Sequence, residues 1–407
     1  MAETPQATAK ANPRGSWFVV VSRVVWWLVL GFWALMLLAT MTLHWWIVPR
    51  VLDWQPQIEA MASKAWGVQL RIGQLASESN DWVPTFVLSD VVLRDAQQQE
   101  VLRLPRVRVS LSPASLLSLK LDHIELEAPT LSVRRDAQGH WQVAGMSLAD
   151  DGQTDLMDWL LSQPHIEVHQ GRLRWVDDWL GQPEVEFSSV QLDWRNGLRS
   201  HAWRLDLQPP QGWGQAVQLQ GDFTQSLFNQ RPSDLSTWKG RLYAQLPQVD
   251  IAKVSLYLSP WLKLQSMAGE GWLRAWADVN QGQWLNPVLD MGLHKVQLQF
   301  KSQSQALSFH QLSGRLRMQP WLGGLGEELI TEQFQVTPTQ GEPWHSGKTR
   351  LAWRHPSQPD QPWAATGELH VEDAPLAVMA EIAAWLPLDE RLRARLLQAK
   401  PHGQVQR

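Results

Sequence analysis

The first ordered feature of the chain is a run. Val24 to Val48 reads VVWWLVLGFWALMLLATMTLHWWIV, apolar almost without a break. One bilayer crossing takes about 20 such residues. Trp26 and Trp27 stand near its start, and Trp45 and Trp46 near its end. At about 1.5 Å rise per residue the two pairs lie roughly 28 Å apart, the spacing of the two membrane interfaces that Trp prefers. Lys10, Arg14 and Arg23 precede the run, whereas Arg50 is soon followed by Asp53 and Glu59. The positive-inside rule then puts the N-terminus in the cytoplasm and the bulk outside it. A cleaved signal peptide is the competing reading. Its apolar segment would be about 7–15 residues with a small-x-small cleavage site, and His44-Trp45-Trp46 offers no such site.

After the run the period shortens. Asp53 to Trp66 is predicted as a short amphipathic helix, with Ile58, Met61, Ala62 and Ala65 at helical spacing. Beyond Gly67 the period is mostly two. Leu102 and Leu104 alternate with Arg103; after a slip at Pro105, Val107, Val109 and Leu111 alternate with Arg106, Arg108 and Ser110. Ile124/Leu126, Leu131/Val133, Ile166/Val168, Leu173/Trp175, Val185/Phe187, Leu192/Trp194 and Trp203/Leu205 continue the pattern. So do Val217/Leu219, Val296/Leu298, Leu307/Phe309, Leu316/Met318, Leu351/Trp353 and Leu369/Val371. Such alternation predicts antiparallel strands with one apolar and one wet face. Turn chemistry separates them, as at Asp136–Gly139, Asn196-Gly197, Pro209–Gly212, Gly323-Gly324 and Pro338–Gly341. A loose Gly-x-Leu repeat at Gly171, Gly240, Gly314 and Gly367 is compatible with a meander. Among the strands, helices are expected only over Thr154–Ser162, within Leu246–Leu264, and over Pro375–Gln398. The predicted fold is mainly β: a transmembrane helix, then an elongated, curled antiparallel sheet. Its apolar face needs a cover, and the few helices cannot supply one. Either two sheets close as a sandwich, or the sheet curls and leaves an apolar trough.

Composition removes several chemistries. The 407 residues hold no Cys, which excludes disulfides, Cys-ligated zinc, iron–sulfur clusters and thiol catalysis. A formal net charge of -4 offers no basic field, so nucleic acid is not an expected partner. His165-Ile-Glu-Val-His169 has the letters of a metal motif, but its order differs from the zinc-protease pattern and its alternation is that of a strand. The three polar residues are therefore read as a solvated face, and no metal or other cofactor is expected. Asp177-Asp178 with Glu184 and Glu186 fixes no carboxylate separation that would support glycoside cleavage. Gly323-Gly-Leu-Gly326 lacks a phosphate-loop Lys, and no nucleophile elbow occurs, so no enzyme is expected. Arg103, Arg106 and Arg108 have two readings, a phosphate-binding stripe or a solvated face paired with acids such as Glu125 and Glu127. The second is preferred.

The stretch from Asp122 to Trp141, DHIELEAPTLSVRRDAQGHW, resembles a motif of AsmA-like proteins, in particular the YhdP family. The N-terminal anchor, Leu70-Arg-Ile-Gly-Gln-Leu75, Gly171-Arg-Leu-Arg-Trp-Val-Asp-Asp178 and the Pro375–Gln398 region follow in the family's order. The resemblance implies a Gram-negative inner-membrane protein whose periplasmic β-groove carries phospholipid towards the outer membrane, similar to the eukaryotic bridge-like lipid transfer proteins. It implies phospholipid and the inner membrane as partners, with other envelope proteins as further candidates. Family members of this kind are several times longer, so the chain is expected to be an amino-terminal portion, a fragment or a truncated product. Residues 1–23 are then cytoplasmic and 24–48 the anchor. Residues 49–150 form the membrane-proximal AsmA-like β-region, 151–374 the meander, and 375–407 a helical region leading into a continuation. The implied groove candidates are Leu104, Val107, Val109, Leu126, Leu131, Val133, Trp175, Leu192, Trp194, Trp203 and Leu205, with loading near Trp54, Leu70 and Ile72. The alternative is a closed β-sandwich that organises envelope assembly and binds no lipid.

Overall fold

A computed structural model describes residues 14–50, 53–66, 69–78, 84–94, 100–113, 115, 120–143, 146–147, 154–226, 234–262, 264–300, 306–321, 326–339, 343–354, 367–372, 374–375 and 404–405. The apolar run is helical, as α1 (Arg14–Thr42), and continues through one π-helical turn (Leu43–Ile47) and a 3-10 turn (Val48–Arg50). Val20–Arg50 is long and apolar enough to cross a membrane, and 6% of its most apolar window is buried within the protein, so its side chains are left for another solvent. At its end Trp46 meets Trp54 edge-on at 5.3 Å, and Arg50 lies over the Trp46 ring. These contacts tie the helix to the segment that leads into the sheet.

α2 (Gln55–Trp66) leads into β1 (Gln69–Glu78), β2 (Thr85–Arg94) and β3 (Glu100–Ser110), which pair antiparallel in sequence. β4 (His123–Glu127) and β5 (Thr130–Arg135) are two halves of one bent row, broken at Ala128-Pro129. Where β3 leaves β5, the short β6 (Trp141–Val143) and β7 (Met146–Ser147) take its place. α3 (Thr154–Leu161) then precedes β8 (His165–Asp177), which runs parallel to both β4 and β5. This corrects the expectation of an antiparallel sheet throughout: a helical crossover permits a parallel neighbour, and alternation carries no sign of strand direction.

From β8 the chain is an antiparallel meander: β9 (Gln182–Asn196), β10 (Ser200–Gln208), β11 (Val217–Thr224), β12 (Lys239–Asp250), β13 (Leu264–Asn280), β14 (Gln283–Phe300), β15 (Leu307–Trp321), β16 (Gly326–Pro338), β17 (Trp344–Arg354) and β18 (Gly367–Val371). The β13–β14 turn has Gln281 at φ 53° and Gly282 at φ 72°, the left-handed pair that a two-residue hairpin requires. β1 to β18 form one sheet. Four rows precede β8 and eleven run from β8 to β18; at ~4.8 Å per step these fifteen rows extend about 67 Å if laid flat. A separate two-stranded ladder joins β19 (Ala374–Pro375) to β20 (Gln404–Val405). The expected helix over Pro375–Gln398 lies outside the described residues, apart from Pro375, which is strand. Within Leu246–Leu264 the helix is α4 (Ile251–Leu262), and the residues before it are still strand. A bulge between Leu246 and Val249 re-phases β12, so Val249 stays buried against the core.

Local backbone kinks explain the slips in alternation. In β1, β2, β3, β4–β5, β8 and β9 the apolar parity changes at Gly73, Asp90, Pro105, Ala128, Gln170 and Ser189, residues that lie side by side across the rows. Asp90, Ala128, Gln170 and Ser189 take φ between 50° and 54°. This line of local kinks keeps the apolar side chains on one face across the change of parity.

Candidate functional site

The register places one apolar side chain per strand in a line across the sheet. Leu75 faces Leu88, followed by Val107, Leu126, Val168 and Leu192. Leu205, Leu219, Ala244, Ala275, Leu289 and Leu316 continue it. Thr331, Thr349 and Val371 complete the fifteen rows. A second line beside it runs Phe86, Val109, Ile124, Ile166, Trp194, Trp203, Gly221, Leu242 and Ala277. The Trp203 indole lies over Gly221, in space that any side chain there would occupy.

This face is buried where helices reach it and half-buried between them. α2 and α3 bring Ile58, Trp159 and Leu160 onto Ile72, Val91, Leu93, Val107, Ile124 and Ile166. Gln163 is fully buried and locks α3 down, accepting from the Leu121 N–H at 2.8 Å, while Asn196 donates to the carbonyls of Leu161 and Gln163. α4 covers the β12–β15 region, where Leu293 and Val296 are 1% and 0% exposed. Tyr257 on α4 also reaches Trp175 of β8, with ring centroids 6.4 Å apart, across the intervening rows β9–β11. Burial, with the nearby Asp177 charge, raises the Tyr257 pKa. Leu192, Trp194, Trp203, Leu205 and Leu219, in the middle of the face, remain half-buried. Among the described residues no second sheet lies over them.

The opposite face is ionic. The line next to the apolar one there reads Arg108, Glu125, Glu167, Asp193 and Arg204. Arg108 lies 3.3 Å from Glu125 and 3.1 Å from Glu127, and Arg106 reaches Glu78 and Glu127. Burial works against the Arg108 charge, but the Glu125 hydrogen bond and the surrounding carboxylates outweigh it and raise its pKa. The arginine stripe is thus the acid-paired face preferred from the sequence. At the β8–β9 hairpin Asp178 pairs with Arg134, Glu184 pairs with Arg174, and the buried Asp177 accepts from the Leu180 N–H.

The sequence candidates fall on the apolar face. Val107, Leu126, Leu192 and Leu205 belong to the first line; Val109, Trp194 and Trp203 belong to the second. Leu104 lies across the line of kinks beside them, and Leu131 and Val133 pair with Leu173 and Trp175. Of the residues expected near the loading end, Leu70 and Ile72 sit on edge strand β1, and Trp54 just precedes α2. Met61 corrects the reading of α2: it is 66% exposed, because Gln55, Glu59 and Ser63 form the docking face and Met61 points about 200° from Glu59. Val168, Leu219 and Leu316 stand in the alternating runs read from the sequence; Leu289 was missed, and Ala244 and Ala275 carry no signal in the sequence. His123 was also missed. The parallel β4–β8 pairing sets it beside His165, with ring centroids 4.3 Å apart.

Taken together, these features define a class: among the described residues, a β protein with one helix of membrane-spanning length and one long sheet that is apolar on one face and ion-paired on the other. Within that class, the chain belongs to the YhdP protein family, whose model matches residues 1–407. No curated protein and no solved structure matches it.

Proposed function

We propose that this protein is a passive conduit for phospholipid between the inner and outer membranes, anchored by α1 with its N-terminus cytoplasmic and its sheet in the periplasm. The observation that carries this reading is the unbroken line from Leu75 to Leu316. Twelve rows at ~4.8 Å carry the line roughly 53 Å perpendicular to the strands. α2 and α3 pack on one end and α4 on the other, and acyl chains would lie on the half-buried stretch around Leu192, Leu205 and Leu219 between them. Monomeric proteins rarely leave contiguous apolar surface beyond a few hundred Å2 unless something binds there. The line starts at β1, which α2 connects to the end of α1, so lipid leaving the bilayer meets its first row at once. Tails lie on the apolar face and head groups stay in water. Family membership supports an envelope role. No catalytic step, cofactor or nucleic acid enters this scheme, and other envelope proteins supply direction.

The test is photo-crosslinking in growing cells. A benzophenone amino acid at Leu205 is expected to give phospholipid adducts detectable by mass spectrometry, whereas the same group at Arg204, one residue along and on the ionic face, gives none. Protein adducts without lipid at Leu205 would replace this reading with that of an assembly scaffold.

A further inference from the structure

On the ionic face, β4 and β8 bring together a cluster that the lipid reading does not use. His123 and Glu167 come within 3.8 Å (Nε2 to Oε2), and His165 Nε2 lies 2.9 Å from Glu167 Oε1. One ligand atom from each of the three lies within 4.8 Å of the others. We propose that His123, His165 and Glu167 form a binding site for a divalent transition-metal ion, with Zn2+ the best fit.

Two imidazoles and a carboxylate are a common zinc donor set, and imidazole nitrogen disfavours the hard ions Mg2+ and Ca2+. Two fourth ligands are within reach. His169 Nε2 is 3.1 Å from Glu167 Oε2, and Asp193 Oδ1 is 3.2 Å from His165 Nε2. Charge supports the assignment. Arg108 pairs with Glu125 and Glu127, and Arg195 pairs with Asp193, but the ion pairs of Glu167 are all to histidines. No Arg or Lys ion pair is recorded for Glu167 among the described residues, and a divalent ion would supply the positive charge there. An independent observation is that His123 Nε2 is buried without a hydrogen-bond partner, an orphan lone pair or proton facing the cluster. The three side chains are 33%, 26% and 25% exposed, so an ion reaches them from solution. The site spans the one parallel junction among the described ladders, where a metal staples the segment before α3 to the segment after it.

The experiment uses the full chain in detergent, purified without a histidine tag and stripped with a chelator. Titration with Zn2+ alone is expected to show one ion per chain with a dissociation constant of about 1 μM or tighter. The pair His123→Ala/His165→Ala is expected to weaken binding at least ~100-fold, and Glu167→Gln about 10-fold or more, with circular dichroism unchanged. His140→Ala, on the exposed β5–β6 turn, leaves binding intact. Co2+ serves as a second probe: its visible bands should report a low-coordinate site in the parent protein and shift in Glu167→Gln, which needs only a folded protein. Absence of binding below ~1 mM, or binding that these variants leave unchanged, overturns the proposal. None of these readouts involves lipid, so this site stands or falls apart from the conduit.

Discussion

Leu205 and Leu293 show how much a position on the same apolar face depends on what covers it. Leu293 is 1% exposed beneath α4, whereas Leu205 is half-buried in the middle of the sheet. An Asp at Leu293 has no water to solvate it and is expected to unfold the protein, costing more than about 4 kcal/mol. An Asp at Leu205 can reach solvent, so Leu205→Asp is expected to cost about 1–2 kcal/mol in urea unfolding and to keep the strand signal. A loss at Leu205 as large as at Leu293 would mean that the face is closed. A second residue-scale expectation concerns His201. It is 7% exposed, stacks on Trp238 at 4.4 Å, and is bonded to Asn196 and Gln225. Burial lowers its pKa below the ordinary 6.5, and the Gln225 hydrogen bond opposes this only in part. The unfolded chain therefore takes up the proton first as pH falls. The stability it contributes is present above about pH 6.5 and lost below it. Melting temperature measured from pH 7.5 to 5 should fall less steeply in His201→Gln than in the parent.

At the scale of elements, α2 does something that its amphipathic pattern does not announce. Glu59 accepts the Ile72 N–H at 2.7 Å, Gln55 donates to the Ile72 carbonyl at 2.7 Å, and Ser63 accepts from the Leu70 N–H. Three side chains one turn apart thus satisfy an edge strand that would otherwise template pairing with another chain. Gln55→Ala/Glu59→Ala is expected to cost about 1–3 kcal/mol and to promote self-association, measurable by sedimentation. The line of kinks makes a different demand. Gln170 holds φ 54°, where a β-branched residue is strained. Gln170→Val should lose about 1–2 kcal/mol and Gln170→Gly none, as read by urea unfolding. The strands themselves were legible, because alternation is written within each one. The slip at Pro105 was visible too. Its meaning was not, since the matching slips at Asp90, Ala128 and Gln170 align only once the strands are paired.

For the whole molecule the question is whether cargo passes along the sheet or merely rests on it. With crosslinkers at Leu88 and Leu289, at opposite ends of the apolar line, a single Leu205→Asp change between them should leave lipid adducts at Leu88 and deplete them at Leu289. Equal adducts at both sites would mean that lipid arrives without traversing the rows. Local features were determined by the sequence alone: an anchor-length apolar helix with Trp at both ends, and strands with one apolar face. Each depends on hydrophobicity and period within a few residues, which survive whatever the strands pair with. Tertiary structure alone decided the parallel β4–β8 step, the line from Leu75 to Leu316 with Ala244 and Ala275 in it, and the meeting of His123 with His165 and Glu167. Pairing joins residues far apart in the chain, and a shift of one residue would turn every side chain of a strand to the other face.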